Sequence, residues 1–286
     1  MIYTLSPIYD EEILYSWLSR NYKYFPYSPI EYSKFIMGNN RTQYVNFNIG
    51  LDYMLKLLSN NNIHLLNSDE DFINTTTLLP FYTKFQKNSD VVNSFNRLRY
   101  SLIRSPITTS LHLHDLDFNP NIINLKFCPE CAEQQYQQYG EIYLLREHQI
   151  YNNNACYIHK CMLNYYPMRA SSIFYNINDF YGKQEAISFD NNSLGEYIQL
   201  SELVHYIFTL NKSLAITLKL KLKKAAHYTS KKRINFYCRN CRFHINIKTP
   251  DTDTKKFINN SSTFEIILLL IACYELIEDF IKNPQP

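Results

Sequence analysis

Two short stretches decide how this chain folds: "FCPEC" (Phe127–Cys131) and "ACYIHKCML" (Ala155–Leu163). The first contains two cysteines separated by two residues, and the second contains a cysteine and a histidine with the same spacing. Turns of this kind aim two side chains at one point, and three thiolates with one imidazole complete a closed, tetrahedral structural zinc site. The spacing therefore predicts one Zn²⁺ bound by Cys128, Cys131, Cys156 and His159.

Cys161 is the competitor of His159 for the fourth ligand position. A Cys-x4-Cys turn is a poorer ligand pair than Cys-x2-His, so we expect Cys161 to pack beside the site without binding the metal. The alternative is that all these residues are buried without a metal, because cysteine often behaves as a small hydrophobic residue. Two such turns in series favour zinc, and since no ligand position is open we expect a structural rather than a catalytic site.

Composition places the chain among ordinary globular proteins. Of its 286 residues, 45% are hydrophobic and 19% are charged, and the net charge is +3, which is unlike a disordered chain. The N-terminus lacks the basic and apolar regions of a secretory signal, so we expect a cytoplasmic protein. In that reducing compartment, clustered cysteines indicate a metal before disulfide bonds.

Two further classes are disfavoured by the sequence. The longest apolar run, Ile266–Tyr274, is about half of the ~20 residues that a membrane span needs. The five glycines are scattered, and no glycine-rich loop of the kind that cradles nucleotide phosphates is present. We therefore do not expect this chain to be an ATPase, and any ATPase that works with it would be a separate protein.

Hydrophobic periodicity predicts a mainly α fold. We expect a helical N-terminal region over residues 1–117, a zinc-binding module over residues 118–168 and a basic helical region over residues 169–286. Thr75–Phe85, which contains Pro80, is predicted to be a helix boundary or a turn. Helices are predicted at Asp10–Phe25 (with an acidic first turn), Leu51–Leu58, Val91–Ile103, Leu194–Leu210 and Thr263–Ile281.

The segment between the two metal-binding turns contains a longer motif. "YGEIYLLREHQ" (Tyr139–Gln149) matches a pattern that runs Y-G-E-x-Y-W-x-R-x-H-Q, with a cysteine eight positions after its histidine. "DEEILYSWLSR" (Asp10–Arg20) and "TTTLLPFYTKF" (Thr75–Phe85) match two further segments of the same pattern. In these three ordered motifs the chain resembles the TnsD/TniQ family of transposon target-selection proteins, as a short form of the TnsD-like branch. It departs from the family pattern at Leu144, where tryptophan is usual, and at Lys160, where glycine is common.

The resemblance implies a non-enzymatic adaptor. Such a protein marks the insertion site on double-stranded DNA and recruits the transposon's AAA+ ATPase, which in turn engages the transposase. Some short members of the family are instead carried by an RNA-guided CRISPR effector complex, so a protein-interaction subunit that does not touch free DNA is the alternative. A less favoured hypothesis is an HNH-type nuclease supported by zinc, with His148 and His159 flanking Asn152–Asn154. We expect a bacterial protein that joins the nucleoid when bound to DNA and makes no membrane contact, and a homodimer is left open.

Polar residues within the motif have two interpretations. Arg146 and His148 could act as an acid–base pair with Glu141, or they could form, with Gln149, a polar network that supports the zinc module. We favour the network, because the ligands of metal sites are commonly held by outer hydrogen-bond partners. Arg20 is expected to pair with a carboxylate inside the fold.

Basic residues are concentrated in one segment. Leu203–Pro250 contains eleven Lys and Arg residues and no Asp or Glu, which leaves the remainder of the chain at −8. A charge run is usually solvated surface, but one without acids in an otherwise acidic chain favours contact with DNA phosphates. The predicted DNA-contacting residues are Lys219, Lys221, Lys223, Lys224, Lys231, Lys232, Arg233, Arg239 and Arg242.

The same segment contains two open features. Ile216–Leu222 fits a strand by its alternation and a helix by its three- and four-residue spacing, and we favour the helix. Cys238 and Cys241 form half of a second zinc site, with His244 as the nearest candidate partner and His227 as a second one. The alternative is a pair of reduced thiols.

Overall fold

The computed structural model describes residues 6–26, 28, 30–32, 69–86, 92, 122–150, 153–169, 194–228 and 266. Helices account for 58% of these residues. The chain divides into two units: one has its described residues up to Leu79 and from Ile122 to Glu202, and the other has those from Pro80 to Val92 and from Leu203 onward. The three domains that the sequence predicts, with boundaries after residues 117 and 168, stay a prediction.

Helix α1 (Leu14–Tyr22) is buried on both its apolar and its polar side. Leu14, Trp17 and Leu18 lie on one face and are at most 6% exposed. On other sides Ser16, Ser19, Arg20 and Asn21 are buried as well, which is unusual for charged and polar residues unless they are paired.

The predicted start of this helix at Asp10 is wrong. Ile13 has extended backbone angles and precedes the first helical residue. Glu11 has a left-handed backbone (φ 55°), and Glu12 pairs with Leu145 in an antiparallel bridge. The two glutamates therefore do not form a first helical turn, because their side chains and backbone bind other parts of the unit. The helix also ends at Tyr22, before the predicted Phe25.

The Arg20 guanidinium can be buried because its donors are paired. Its Nε and Nη2 donate to the two carboxylate oxygens of Glu12 at 2.8 Å each, and its Nη1 donates to Glu141. It also lies over the ring of Tyr9, 4.1 Å from the centroid, and donates to the Pro7 carbonyl. The prediction that Arg20 pairs inside the fold is confirmed.

A second arginine, Arg146, connects three segments of the first unit. Its Nε and Nη2 donate to Glu11 Oε2 at 3.1 and 2.6 Å, and its backbone N–H donates to the Glu11 carbonyl. Its Nη1 donates to the carbonyls of Asn74 and Thr77, at the end of helix α2 (Asp69–Thr76). A cation at this position suits the negative end of the helix dipole.

The boundary predicted around Pro80 is confirmed. Helix α2 ends at Thr76, and after two bent residues a single helical turn, α3 (Leu79–Tyr82), begins. Pro80 is the second residue of α3, where its missing N–H removes no intrahelical hydrogen bond.

An antiparallel pair of strands encloses the metal-binding sequence. Strand β1 (Ile122–Phe127) pairs with β4 (Asn164–Arg169), with Phe127 opposite Asn164. Between them lie helix α4 (Pro129–Tyr139), the 3₁₀ turn Glu147–Gln149 and a short hairpin. The hairpin consists of β2 (Ala155–Cys156) and β3 (Cys161–Met162). The sequence analysis did not predict β1 or β4.

Two helices contribute to the second unit. Helix α5 (Leu194–Thr209) agrees with the predicted Leu194–Leu210, and its residues from Leu203 onward belong to this unit. Helix α6 (Lys212–Tyr228) confirms the helical reading of the basic segment. Ala215, Leu218 and Leu222 recur at three- and four-residue spacing on α6 and are at most 3% exposed.

Three lysine side chains hold this unit together through backbone carbonyls. Lys84 donates to the carbonyls of Phe208 and Leu210 at the end of α5, at 3.0 and 2.7 Å. Lys212 and Lys219 of α6 donate to the carbonyls of Thr83 and Phe85. Burial, followed by the nearby charges of Lys84 and Lys219, lowers the pKa of Lys212 to about 8.

Three predicted helices lie wholly or almost wholly outside the described residues: Leu51–Leu58, Val91–Ile103 and Thr263–Ile281. Among the described helices, none has the length and apolar character that crossing a membrane requires.

Replacing Arg20 tests the importance of its ion pairs. Arg20→Ala leaves the Glu12 carboxylate, which is 0% exposed, without its countercharge, and breaking a buried ion pair costs about 3–5 kcal/mol. We expect a fall of that size in the free energy of unfolding, measured in urea by the fluorescence of Trp17. This is the only tryptophan of the chain, and it is fully buried in the first unit.

Lys23→Ala is the matched control, since Lys23 is exposed just after the same helix and truncation of an exposed side chain changes stability by no more than about 0.5 kcal/mol. Equal effects of the two substitutions would show that Arg20 does not hold the unit together.

Candidate metal centre

The first ligand pair is placed by the junction between β1 and α4. Cys128 follows the strand with an extended backbone and caps the helix, accepting the Cys131 N–H at its sulfur (3.5 Å). Pro129 opens the helix, where its fixed φ is suited to a first helical residue. The positive end of the α4 dipole favours a thiolate at Cys128.

The second pair is placed by the hairpin. Cys156 ends β2, and His159 lies in the four-residue turn that leads to β3. The Lys160 N–H donates to the Cys156 carbonyl at 2.9 Å and closes this turn. Lys160 has a left-handed backbone (φ 52°), a conformation that glycine adopts without cost, which explains why glycine suits this position. The Lys160 side chain forms an ion pair with Glu202.

The four predicted ligands lie together, with all ligand atoms within 4.8 Å of one another. The Cys131 and Cys156 sulfurs are 3.8 Å apart. His159 Nδ1 lies 3.4, 3.3 and 3.7 Å from the sulfurs of Cys128, Cys131 and Cys156. With Zn–S near 2.3 Å and Zn–N near 2.0–2.1 Å, a tetrahedral site has sulfur–sulfur edges of about 3.8 Å and sulfur–nitrogen edges of about 3.5 Å.

The donor chemistry also fits a metal ion. The three cysteines are at most 7% exposed, and hydrogen bonds from Cys131, Cys156 and Cys161 lower the pKa of the Cys128 thiol. The thiolate, which is the form that binds metals, is therefore favoured at Cys128. Hydrogen bonding to Cys128 raises the pKa of the Cys131 and Cys156 thiols, so the charge of a bound cation would be needed to deprotonate all three. Cys128, Cys131, Cys156 and His159 could therefore bind one metal ion.

Gln134, which the sequence analysis did not identify, contacts the far side of the histidine ring. Its side-chain nitrogen lies 3.0 Å from His159 Nε2. When Nδ1 binds a metal, Nε2 carries a proton, so the Gln134 amide must turn its oxygen toward the ring to accept it. The sequence could have indicated this contact, because Gln134 follows Cys131 by about one turn of α4 and lies on the same face of the helix.

The motif residues predicted to support the centre make separate contacts. Glu141 accepts from Tyr9 and Arg20, and Arg146 binds Glu11 as described above. Burial lowers the pKa of His148 to about 4, and at 3% exposure its imidazole is closed to a substrate. The supporting role of these residues stays a prediction.

Gln149 attaches the motif to the strand that precedes the ligands. Its Oε1 accepts the Lys126 N–H at 3.1 Å and its Nε2 donates to the Lys126 carbonyl at 2.5 Å, as a paired strand would. The Lys126 ammonium donates to the carbonyls of Ile150 and Asn153, and burial lowers its pKa to about 7. These contacts hold the segment before β2 against β1.

The predicted DNA-contacting residues are only partly described. Lys219, Lys221, Lys223 and Lys224 lie on α6, and Lys219 is half-buried with its ammonium bound to Phe85. The remaining members lie outside the described residues, as do the predicted second-site ligands: Lys231, Lys232, Arg233, Arg239 and Arg242, and Cys238, Cys241 and His244. Both sets stay predictions.

The residues that form this centre lie within a region that matches a known protein family. The family model TniQ matches residues 4–163, a span that contains α1, the arginine networks and all four candidate ligands. The chain belongs to the TniQ family. The TniQ domain implies an adaptor role associated with transposition, and proteins of this family are typically non-catalytic partners of transposition proteins. No curated protein matches the chain.

We expect removal of a metal ligand to destabilise the protein strongly. Binding of a structural zinc contributes roughly 10–16 kcal/mol, which equals or exceeds the ~5–15 kcal/mol stability of a domain. We expect purified protein to contain one zinc per chain, and we expect Cys128→Ser and Cys156→Ser to be insoluble or locally unfolded. Cys161→Ser, the matched control, should remain soluble and keep its zinc. Less than one zinc per purified chain, measured by elemental analysis, would contradict the centre.

Proposed function

We propose that this TniQ protein is a DNA-targeting adaptor of a transposition system. It marks the insertion site and recruits the AAA+ ATPase of the transposon, which engages the transposase. The TniQ match over residues 4–163 carries this proposal. The three sequence motifs also support membership of the TnsD-like branch.

The metal of the centre is Zn²⁺, with a structural role. Three thiolates and one imidazole fill a tetrahedron, so no position is left for a water or a substrate. Three of the four ligands are almost fully buried, which also suits a structural rather than a catalytic ion. For Cys238, Cys241 and His244 the two alternatives stay a second zinc site or reduced thiols, and a metal content of two per chain would support the second zinc.

The nuclease hypothesis is the weaker one on these contacts. His159 directs Nδ1 at three sulfurs, and His148 is 3% exposed. The Asn153 amide donates to the Glu147 carbonyl and is 2% exposed. A metal-dependent nuclease needs such residues at an accessible site with an open metal position.

DNA is bound through the basic segment Leu203–Pro250, which contains α6. The segment contains no acidic residue between Leu203 and Pro250, and phosphate contacts depend on charge more than on sequence. The Lys219 ammonium also donates to the Phe85 carbonyl. Lys221, Lys223 and Lys224 on the same helix and the basic residues that follow it are the proposed contacts.

A specific observation favours a protein partner as the second candidate function. Leu214, Ile216 and Leu220 of α6 are 49%, 44% and 54% exposed. Apolar side chains exposed along a helix mark protein contacts more often than DNA contacts. In this alternative, α6 docks on a CRISPR effector complex and the protein does not bind free DNA.

Binding without turnover tests the adaptor proposal. We expect the purified protein neither to hydrolyse ATP nor to cut DNA, and to co-purify with the AAA+ ATPase encoded beside it, because it would supply recognition and not chemistry. Plasmid nicking that requires a metal and disappears in His148→Ala would instead support the nuclease. Co-purification with a CRISPR effector and no DNA binding would support the second candidate.

The proposed DNA contacts predict a salt-dependent affinity. Each neutralised phosphate contributes about −0.9 to the slope of log K against log salt. Replacing Lys231, Lys232 and Arg233 by alanine should weaken binding to all sequences alike and reduce that slope by up to about 3 units. Lys23→Ala, an exposed lysine outside the segment, is the control and should change neither quantity. An unchanged slope in the triple variant, measured by fluorescence anisotropy, would assign those residues to solvated surface.

A further inference from the structure

Cys161 is a fifth donor beside a four-ligand centre. In the hairpin, Cys161 lies directly opposite Cys156, and opposite residues of an antiparallel pair have their side chains on the same face. Its sulfur lies 3.4 Å from the Cys128 sulfur. The residue is half-buried and packs against the cluster of ligand cysteines.

The Cys161 sulfur is about as close to the Cys128 sulfur as two sulfur ligands of one metal ion are to each other. Sulfur atoms that share a zinc are about 3.8 Å apart, close to the separation from Cys128. Cys161 is nevertheless outside the set whose ligand atoms all lie within 4.8 Å of one another. The position that it would need is occupied by His159 Nδ1, 3.3–3.7 Å from the three ligand sulfurs.

His159 is the ligand that is least fixed by the fold. Cys128, Cys131 and Cys156 are at most 7% exposed, whereas His159 is half-buried in a turn and its ring contacts the exposed Gln134 side chain. Cys161 follows His159 by two residues in the same hairpin. Because Cys161 pairs with Cys156 in the hairpin, a side-chain rotation at Cys161 is the movement that the replacement would require.

We infer that Cys161 is a reserve ligand: when the imidazole does not bind, its thiolate takes the fourth position and converts a Cys₃His centre into a Cys₄ centre. The nitrogen–metal bond breaks, the sulfur–metal bond forms, and the thiol proton is released to water. The ion is a thiolate-preferring divalent cation such as Zn²⁺ or Co²⁺. This inference rests on the metal centre proposed above.

Four variants of the full chain test the inference: His159→Ala, Cys161→Ala, the double variant, and Cys156→Ala as the control for a buried ligand. We expect about one metal per chain in wild type, in Cys161→Ala and in His159→Ala. In the double variant and in Cys156→Ala we expect loss of the metal or of soluble protein, and both count as failure to form the centre. In Co²⁺-loaded His159→Ala, thiolate-to-metal absorption should exceed the wild-type value by about one third, as the thiolate number increases from three to four.

Four results of the metal measurement would overturn the inference. The first is loss of the metal from His159→Ala, and the second is retention of the metal by the double variant. The third is retention by Cys156→Ala as complete as that by His159→Ala, because the replacement would then not be specific to the histidine position. Loss of the metal from Cys161→Ala would make Cys161 a primary ligand and would overturn it as well.

A second substitution at His159 separates misfolding of His159→Ala from loss of the metal ligand. His159→Asn keeps a polar side chain near Gln134 and removes only the imidazole ligand. If His159→Ala and His159→Asn are both insoluble while Cys161→Ala is soluble, Cys161 does not replace the imidazole and the inference is wrong. Wild-type protein without metal is a different result, because it refutes the metal centre itself.

Discussion

The Arg20 guanidinium is the contact on which the first unit depends. It is 2% exposed and binds a carboxylate that is fully buried, so neither charge is stable in the fold without the other. Its partners come from both sides of the sequence: Glu12 just before α1 and Glu141 more than a hundred residues later. This one side chain therefore brings the N-terminal helix and the segment after α4 together at a single point.

The family motif between residues 139 and 149 is the piece that this contact holds in place. On one side it binds the N-terminal region, where Ile13 and Leu144 join through their backbones and the Leu144 N–H donates to Ser16. On the other side Gln149 binds the backbone of Lys126 in β1. Gly140 begins the motif with a left-handed backbone (φ 72°) that ends α4, which glycine allows without strain. The motif is thus a structural link between α1 and the metal-binding strands.

The hairpin that holds the second ligand pair contains little regular structure. Strands β2 and β3 have two residues each, and four of the buried residues are a cluster of three cysteines and Leu163. Modules of this size bury too little apolar surface for independent stability and commonly use a metal instead. A zinc ion here would stabilise the second half of the TniQ region, as the ion pairs of Arg20 stabilise the first half. It would join residues that are distant in sequence by a strong interaction at one point.

Local spacing in the sequence determined the four candidate ligands and the existence of α1, α5 and α6. A two-residue gap or a 3.6-residue period is a property of neighbouring residues, so it can be recognised without knowing the long-range contacts of the chain. The tertiary structure decided everything that joins distant residues. Glu11 and Glu12 look like the acidic first turn of a helix, but their partners Arg146 and Arg20 take them out of it. The pairing of β1 with β4, the contact of Gln134 with His159 and the position of Cys161 beside Cys128 are equally long-range. No local pattern specifies them, because each depends on which surfaces meet after the chain has folded.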